Sequence, residues 1–251
     1  GRVGVGLAPM AIIVFQHSAE SGAGRLGLTL RDHGFELDVR RLDLPETPGP
    51  AGNRHVPPDY DNVEGVISLG GPQNLTDQPP PPWMEAEMAY LRGAHERQLP
   101  VIGICLGAQL VAQALGGKVG PSTPEWGFHK VQIPPPAQVE TMMAGIAWDS
   151  WQFQAHNQAV LELPPGALVL GTSAACKVQA FKVGLRTYGF QYHFECDRPA
   201  IDALMATAPG GVPAGFAEQA EACYPEYARL ADRLCVNIAS YAFPLQRRRI
   251  A

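Results

Sequence analysis

Residues 101–117 read VIGICLGAQLVAQALGG: a short apolar run, a cysteine between two glycines, and a longer apolar run that ends at a glycine pair. The first run predicts a strand at 101–104 that is buried on both faces. The second predicts a helix at 106–115, with the glycine pair as its stop signal. The sequence therefore predicts a strand–turn–helix unit with Cys105 at the turn.

The pattern G-x-C-x-G at 103–107 is typical of a nucleophile elbow, with sulfur in place of oxygen. Such a turn holds its central residue in a strained backbone conformation, and the flanking glycines let neighbouring chain segments approach closely. Free N–H groups at a helix N-terminus also stabilise a thiolate. The alternative is a cysteine that only packs in the core as a small apolar side chain. Cys105 is therefore a candidate nucleophile.

The rest of the first half alternates strands with helices. Apolar or alternating runs predict strands at 11–15, 35–42 and 65–69, and helices are expected at 24–32 and 83–98. This order predicts an α/β fold with an open, mostly parallel central sheet and helices on both faces. Beyond residue 117 we expect short strands at 130–133, 167–172, 177–182 and 187–193, then helices from 198 to 242.

A base for the thiol, and a group to orient it, follow at the end of the last predicted strand. Residues two apart in an extended segment face the same side, so His193 and Glu195 would point into one pocket while Phe194 packs behind them. Alone, this triplet is more typical of an ordinary surface pair. Its position at a strand end, where open α/β sheets place their active sites, favours a functional interpretation.

Acyl transfer also requires donors for an oxyanion. The turn Gly70-Gly71-Pro72 follows the strand at 65–69 and would supply one backbone N–H. The amide of Leu106, directly after the cysteine, would supply the second. Alone, the Gly-Gly-Pro turn would be read as a tight bend. Three strand ends that contribute nucleophile, base and oxyanion donors together predict a cysteine-dependent acyl transfer.

Other polar residues near these strands have weaker signals. His17 follows the first strand at the same edge of the sheet, and this position would allow it to line the pocket, although packing is the simpler interpretation. Glu125, Trp126 and His129 are expected to be turn and packing residues. Tyr227, Leu230, Leu234 and Ile238 are expected to form a helix face against the sheet.

Composition and charge exclude several classes of protein. The 251 residues are 46% hydrophobic and 17% charged, with a net charge of −5, so the chain has material for a large core. The one basic block is the arginine run 247–249, and clustered cations are what nucleic-acid binding needs. No apolar run approaches the roughly 18 residues of a membrane span. We therefore expect neither a nucleic acid nor a membrane as a partner.

Five scattered cysteines without a C-x-x-C pair predict neither a disulfide framework nor a metal site. This pattern fits a reducing compartment, and we expect a cytoplasmic protein. Residues 1–9 are expected to be an expression remnant or a disordered N-terminus. Residues 10–251 are expected to form one domain with C-terminal helices, since no repeat or linker divides them.

These segments together resemble the class I (triad) glutamine amidotransferases. SLGGP at 68–72, GICLGAQLVAQALGG at 103–117 and YGFQYHFE at 188–195 stand in the family's order and approximate spacing. HNQAVLELPPGALVLGTSAACKVQAF at 156–181 is similar to the stretch before the family's His/Glu strand. Within the class, the sequence is most similar to stand-alone members related to the GMP synthase amidotransferase domain. The resemblance covers residues 11–200 and implies a flavodoxin-like sheet.

The resemblance implies a role for each matching residue. Cys105 would attack the side-chain amide of glutamine, form a γ-glutamyl thioester and release ammonia. His193 would act as general base and acid, oriented by Glu195. The amides of Gly71 and Leu106 would bind the oxyanion.

The substrate-binding positions show one clear departure from the family pattern. Gln109 matches a position that contacts the bound glutamine, and His156, Asn157 and Gln158 match the platform for the substrate's amino-acid end. Relatives near GMP synthase usually read H-G-D there, and their carboxylate pairs with the substrate ammonium. Here Gln158 stands at the Asp position, so recognition of glutamine is expected to be weaker or altered. Phe194, where many relatives have Pro, is a milder change.

Two alternatives to glutamine hydrolysis stay open. A γ-glutamyl peptidase or hydrolase would use the same thioester chemistry on a peptide or conjugate. A catalytically silent regulatory subunit would have no need of the intact Cys105, His193 and Glu195. The chain has no phosphate-binding G-x-x-x-x-G-K-[ST] loop and no G-x-G-x-x-G after a strand, so no cofactor is expected. A separate synthetase subunit would then accept the ammonia.

Overall fold

The computed structural model describes residues 10–47 and 54–243. The strands in these ranges are β1 (Ala11–Gln16), β2 (Leu37–Arg41), β3 (Val63–Ser68), β4 (Val101–Ile104), β5 (Lys118–Gln132), β6 (Asp149–Glu162), β7 (Leu168–Gly171), β8 (Ala180–Val183) and β9 (Thr187–Phe190). The helices are α1 (Gly24–Asp32), α2 (Met84–Glu96), α3 (Leu106–Ala114), α4 (Arg198–Met205) and α5 (Phe216–Asn237), which continues as a π-helical turn at Ile238–Ala242.

Seven strands form the central sheet, in the order β2-β1-β3-β4-β9-β8-β7. The first five in this order run parallel, whereas β8 pairs antiparallel with β9, and the edge strand β7 pairs antiparallel with β8. The order β2-β1-β3-β4-β9 is that of a flavodoxin-like sheet. The predicted open, mostly parallel α/β fold is therefore confirmed, and the carboxyl ends of β1, β3, β4 and β9 meet at one edge.

Both faces of the sheet are covered, as the continuous apolar strands predicted. In β1, Ile12 and Val14 pack into one core cluster together with side chains of α1 and α5. Ile13 and Phe15, which point the other way, pack into a second cluster with side chains of α2 and α3. The apolar positions Tyr227, Leu230, Leu234 and Ile238 are buried, as expected. The helix α5 comes closest to α1, β5 and β6, and its side chains share the first core cluster with Ile12 and Val14 of the central sheet.

A long antiparallel hairpin outside the central sheet corrects the prediction of a short strand at 130–133. β5 pairs with β6 from Lys118↔Glu162 to Gln132↔Asp149. The pairing shifts register between Pro121 and Glu125, where the two prolines at 121 and 124 interrupt the alternation of apolar and polar residues. Proline lacks the N–H that a central strand needs, and a two-stranded ribbon tolerates it at the edge. Because of this interruption, the sequence predicted only the last part of β5, and it did not predict β6.

The remaining strand predictions need smaller corrections. The strands expected at 167–172 and 177–182 are β7 and β8, and the strand expected at 187–193 ends at Phe190. Within the described residues, no helix is long and apolar enough to cross a membrane. The predicted N-terminal remnant at 1–9 and the arginine run at 247–249 lie outside the described residues, and the single domain at 10–251 stays a prediction.

Candidate active site

Cys105 occupies a sharp turn between β4 and α3. Its φ of 52° and ψ of −109° place it in the left-handed region that a non-glycine residue rarely adopts. A Cβ on Gly103 would come within 2.6 Å of the Gly107 carbonyl oxygen, and one on Gly107 within 2.0 Å of the Ser68 carbonyl oxygen. Both positions thus require glycine because neighbouring backbone atoms lie too close for a side chain, as the elbow pattern predicted.

His193 and Glu195 meet beside this turn. Nδ1 of His193 lies 2.7 Å from Oε1 of Glu195, and both side chains are almost fully buried. They do not lie on an extended strand, as was expected, but in a bend after β9. The cause is β6, because the His193 N–H donates to the carbonyl oxygen of Phe153 at 2.9 Å and draws the chain away from the central sheet. Phe194 is buried behind the pair, as predicted.

The charges around His193 favour its imidazolium form. Burial alone would lower its pKa, but interactions with Glu195 and with the Cys105 side chain outweigh burial and raise the pKa of His193 well above the usual value. A ring that is held between a thiol and a carboxylate is suited to accept a proton and return it.

The loop after β3 closes the third side of the site. A Cβ on Gly70 would lie 2.8 Å from Cε1 of His193 and 3.5 Å from Cβ of Cys105, so this loop contacts both side chains directly. The N–H groups of Gly71 and Leu106 have no acceptor among the described residues. Two free backbone donors therefore border the cysteine.

A cavity of about 300 Å³ opens at this point. Its lining includes all the sequence-predicted site residues except the orienting carboxylate: Gly71, Cys105, Leu106, Gln109, His156, Asn157, Gln158 and His193. Glu195 lies behind His193, away from the cavity. Ala203, Leu204 and Thr207, from α4 and the turn after it, form an apolar wall of the cavity. The structure thus brings these predicted residues together around one cavity.

The expected substrate platform lies on β6 and is tied to α3. Nε2 of Gln109 donates to the carbonyl oxygen of Gln158 at 2.9 Å and to Oε1 of Gln191 at 3.1 Å. The side chain of Gln158 donates to Oγ1 of Thr76, while its own Oε1 is buried without a hydrogen bond. Asn157 is exposed between its two buried neighbours. A buried acceptor without a partner thus borders the cavity.

Two residues that the sequence analysis assigned to turns and packing belong to this region. Glu125 is buried, and its Oε2 lies 3.2 Å from Nε2 of His156. Burial would raise the pKa of Glu125, but hydrogen bonds from His156 and Ser173 and the charge of His156 lower it instead. Trp126 lines the cavity. The sequence did not place Glu125 and Trp126 at the cavity, because their position depends on the pairing of β5 with β6.

His17 does not line the cavity. It is completely buried behind the Gly70–Gly71 loop, where its ring packs against Trp83 with centroids 4.8 Å apart. The simpler expectation of packing is also incomplete, because both ring nitrogens have polar partners.

One group of side chains among the described residues has the spacing of a metal site, namely His193, Glu195 and Cys196. Their ligand atoms lie within 4.8 Å of one another, but His193 and Glu195 are already bonded to each other. The predicted absence of a metal stays a prediction. All five cysteines are free thiols, in agreement with the absence of a disulfide framework.

Comparison with known proteins agrees with this geometry. The family model of class-I glutamine amidotransferases matches residues 27–203. One relative, a subunit of the glutamine-hydrolysing GMP synthase of Ignicoccus hospitalis, is 35% identical over 174 residues, which cover 68% of this chain and 82% of that protein. The corresponding subunit from Thermococcus kodakarensis is 30% identical over 187 residues, or 73% of this chain and 89% of that protein.

A solved structure extends the similarity to the whole fold. The glutamine amidotransferase of Methylobacillus flagellatus superposes with a TM-score of 0.77 at 25% identity, covering 94% of each chain. The matched range includes the turn at Cys105, the loop after β3 and the His193–Glu195 pair. The chain belongs to the class-I glutamine amidotransferase family.

Proposed function

We propose that the protein hydrolyses the side-chain amide of glutamine through a γ-glutamyl thioester on Cys105 and releases ammonia. The observation that carries this proposal is the arrangement of Cys105, His193 and Glu195 beside two free backbone N–H groups in one cavity. Each component of an acyl transfer thus has a candidate within contact of the same space.

The first half of the reaction makes the thioester. His193 holds the proton of Cys105, and the thiolate attacks the side-chain carbonyl carbon of glutamine to form the C–S bond. The carbonyl oxygen becomes an oxyanion, which accepts hydrogen bonds from the amides of Gly71 and Leu106. The C–N bond then breaks, and His193 returns the proton to the leaving nitrogen as ammonia departs.

The second half regenerates the enzyme. His193 removes a proton from water, whose oxygen attacks the thioester carbonyl. The C–S bond breaks, glutamate leaves, and the proton returns to the Cys105–His193 pair. Glu195 keeps the ring of His193 in orientation through both halves and does not itself need to change protonation state.

The ammonia is destined for another polypeptide in this proposal. The two relatives described above are named as subunits of a GMP synthase, which supports a separate synthetase as the acceptor. The site described here contains no residues assigned to the synthetase reaction, which the separate partner would catalyse.

A γ-glutamyl peptidase is the second candidate. One observation favours it: Gln158, which lines the cavity, is neutral and offers no charge to a substrate ammonium. Both candidates share the thioester on Cys105, so they differ only in the leaving group.

The test is covalent labelling with the chloromethyl ketone analogue of glutamine, followed by intact-mass measurement. The expected result is one adduct on the wild type, with loss of chloride, and none on Cys105→Ala. Cys176→Ala is the matched control, because Cys176 is equally buried but lies outside the cavity. If Cys105 reacts with iodoacetamide but not with the analogue, glutamine hydrolysis is contradicted. Turnover of γ-glutamyl dipeptides by that protein would then support the peptidase.

A further inference from the structure

A second polar cluster lies directly behind the oxyanion loop, outside the cavity. Nε2 of His17 lies 2.9 Å from Oε2 of Glu87, and both side chains have no exposed surface. The other carboxylate oxygen, Oε1, accepts a 2.6 Å hydrogen bond from Oγ of Ser68, the last residue of β3. Nδ1 of His17 lies 3.2 Å from the carbonyl oxygen of Gly70. Glu87 on α2 thus connects the ends of β1 and β3.

The partners of His17 determine its protonation state. A carboxylate and a carbonyl oxygen are both acceptors, so each ring nitrogen must carry a hydrogen to bond them. These two acceptors favour the imidazolium form of His17. Burial opposes this charge, but Glu87 and the carbonyl oxygens of Gly70 and Leu69 outweigh burial and raise the pKa of His17.

The carbonyl of Gly70 belongs to the same peptide unit as the N–H of Gly71. In a trans peptide these two groups point in opposite directions, so fixing one fixes the other. His17 lies on the side away from the cavity, and Gly71 lines the cavity. A Cβ on Gly71 would lie 2.6 Å from Cβ of His17, so His17 packs directly against this peptide.

We infer that His17, held by Glu87, is a positioning residue that aims the N–H of Gly71 at the oxyanion. The inference rests on the proposed function, because it concerns the oxyanion of that reaction. A donated hydrogen bond at the carbonyl also polarises the peptide and strengthens its N–H as a donor. His17 contacts neither the substrate nor Cys105, so its effect passes entirely through the Gly70–Gly71 peptide.

Stability alone does not account for this cluster. A buried ion pair contributes about as much to stability as well-packed apolar side chains of the same volume, or less. His17 and Glu87 are fully buried, and their side chains are hydrogen-bonded, besides each other, to Ser68 and Gly70. The pair is placed to fix the conformation of the loop that borders Cys105.

The test separates the two ring nitrogens of His17. Asn places an amide nitrogen near the position of Nδ1 and keeps a donor for Gly70, whereas Gln extends its amide towards the position of Nε2 and Glu87. We expect His17→Gln to lower the rate of Cys105 acylation by about 10- to 100-fold, below the roughly 10²–10³ cost of deleting an oxyanion donor. His17→Asn is expected to keep most of the rate. His33→Gln, on the far end of α1, is the control.

Two substrates make the outcome independent of glutamine recognition. Acylation is followed with p-nitrophenyl acetate as well as with glutamine, and alkylation by iodoacetamide reports the thiol without any oxyanion. The expected pattern for His17→Gln is slow acylation, unchanged alkylation, and for glutamine a lower kcat with an unchanged KM. Equal acylation by His17→Gln and the wild type, or an equal loss in both variants, would overturn the inference.

Comparing the ester, glutamine and iodoacetamide also separates this inference from the proposed function. A wild type that reacts with the ester but not with glutamine overturns glutamine hydrolysis, and the ester then decides the role of His17. A wild type that alkylates but is acylated by neither compound overturns both. If the variants do not fold, the ¹⁵N chemical shifts of His17 in the wild type decide instead. Protons on both ring nitrogens at neutral pH support the inference, and an unprotonated Nδ1 overturns it.

Discussion

The hydroxyl of Tyr227 on α5 lies 2.8 Å from the backbone carbonyl oxygen of His193. It lies equally close to the carbonyl oxygen of Cys196, so one buried phenol bridges both ends of the segment that carries the base. The carbonyl oxygen of Glu195, between them, accepts a hydrogen bond from the N–H of Arg25 at 2.8 Å. Residues of α1 and α5 therefore hold the backbone of the segment that contains His193. The helix α5 lies beyond the range matched by the family model.

Tyr227→Phe keeps the ring and removes the bridging hydroxyl. Two buried carbonyl oxygens are left without this donor, so we expect the free energy of unfolding to fall by about 1–3 kcal/mol. We also expect kcat to fall by about 10-fold, because a small displacement of the base costs rate steeply. Urea unfolding and steady-state glutaminase assays measure both quantities. Tyr241→Phe, at a half-exposed tyrosine, is the control, and equal effects of the two variants would contradict the bridge.

Glu195→Gln tests the origin of the raised pKa of His193. Since the carboxylate is the largest contribution that favours the imidazolium, its removal should lower the pKa of His193 and reduce kcat by roughly 10³- to 10⁴-fold. The variant's ring should lose its proton at lower pH, which the ¹H–¹⁵N titration of His193 measures. The exposed Glu162→Gln is the control. An unchanged titration would contradict this electrostatic role.

The same change alters how stability depends on pH. The pKa of His193 is raised on folding, so its protonation contributes stability that is fully present below pH about 6.5 and disappears as pH rises through the folded-state value. We therefore expect the wild type to lose more free energy of unfolding between pH 6 and pH 9 than Glu195→Gln does. Urea titrations at several pH values compare the two slopes. Parallel slopes would show that Glu195 does not control this proton.

Local sequence patterns were sufficient for the parts of the site that are local in sequence. Gly103, Cys105 and Gly107 form a turn within five residues, so the pattern contains the geometry. The apolar strands β1, β3 and β4 were also readable, because burial on both faces makes them continuously apolar. The relative positions of their ends then followed from the parallel topology.

Contacts between segments that are distant in sequence could not be predicted from local patterns. The ion pair of Glu125 with His156 depends on the register of β5 against β6, which the prolines at 121 and 124 obscured. The contact of His17 with Glu87 spans 70 residues and joins a strand end to a helix. A single sequence gives the residue types at such positions but not their pairing.

Gly107→Ala tests the close approach at the elbow. The added Cβ would lie 2.0 Å from the carbonyl oxygen and 2.4 Å from the carbonyl carbon of Ser68, both backbone atoms of β3 that cannot move aside cheaply. We expect a loss of about 3 kcal/mol, the upper end of overpacking costs, with slower alkylation of Cys105. Gly22→Ala is the matched control, because nothing lies within 4 Å of its added Cβ. Equal stability of the two variants would contradict the packing argument.

Gln158→Asp tests how the cavity recognises the amino-acid end of the substrate. The amide oxygen of Gln158 is buried without a hydrogen bond, and its nitrogen is bound to Thr76. The side chain of Asp is one methylene shorter than that of Gln, so the change gives up the bond to Thr76 and places a charged acceptor for a substrate ammonium at the cavity. Since hydrogen bonds to charged groups are worth about 1.5–3 kcal/mol, we expect KM for glutamine to fall by about 10-fold.

The kinetic split of this variant distinguishes binding from chemistry. An ammonium contact made equally in the ground state and the transition state lowers KM and leaves kcat unchanged. Asn157→Asp is the matched control, because it adds the same charge at the neighbouring exposed position of β6. If both variants lower KM equally, general attraction is responsible and Gln158 has no specific role. If KM for glutamine rises in Gln158→Asp while γ-glutamyl peptides are still cleaved, the neutral side chain is part of a site for a substrate whose amino group binds elsewhere.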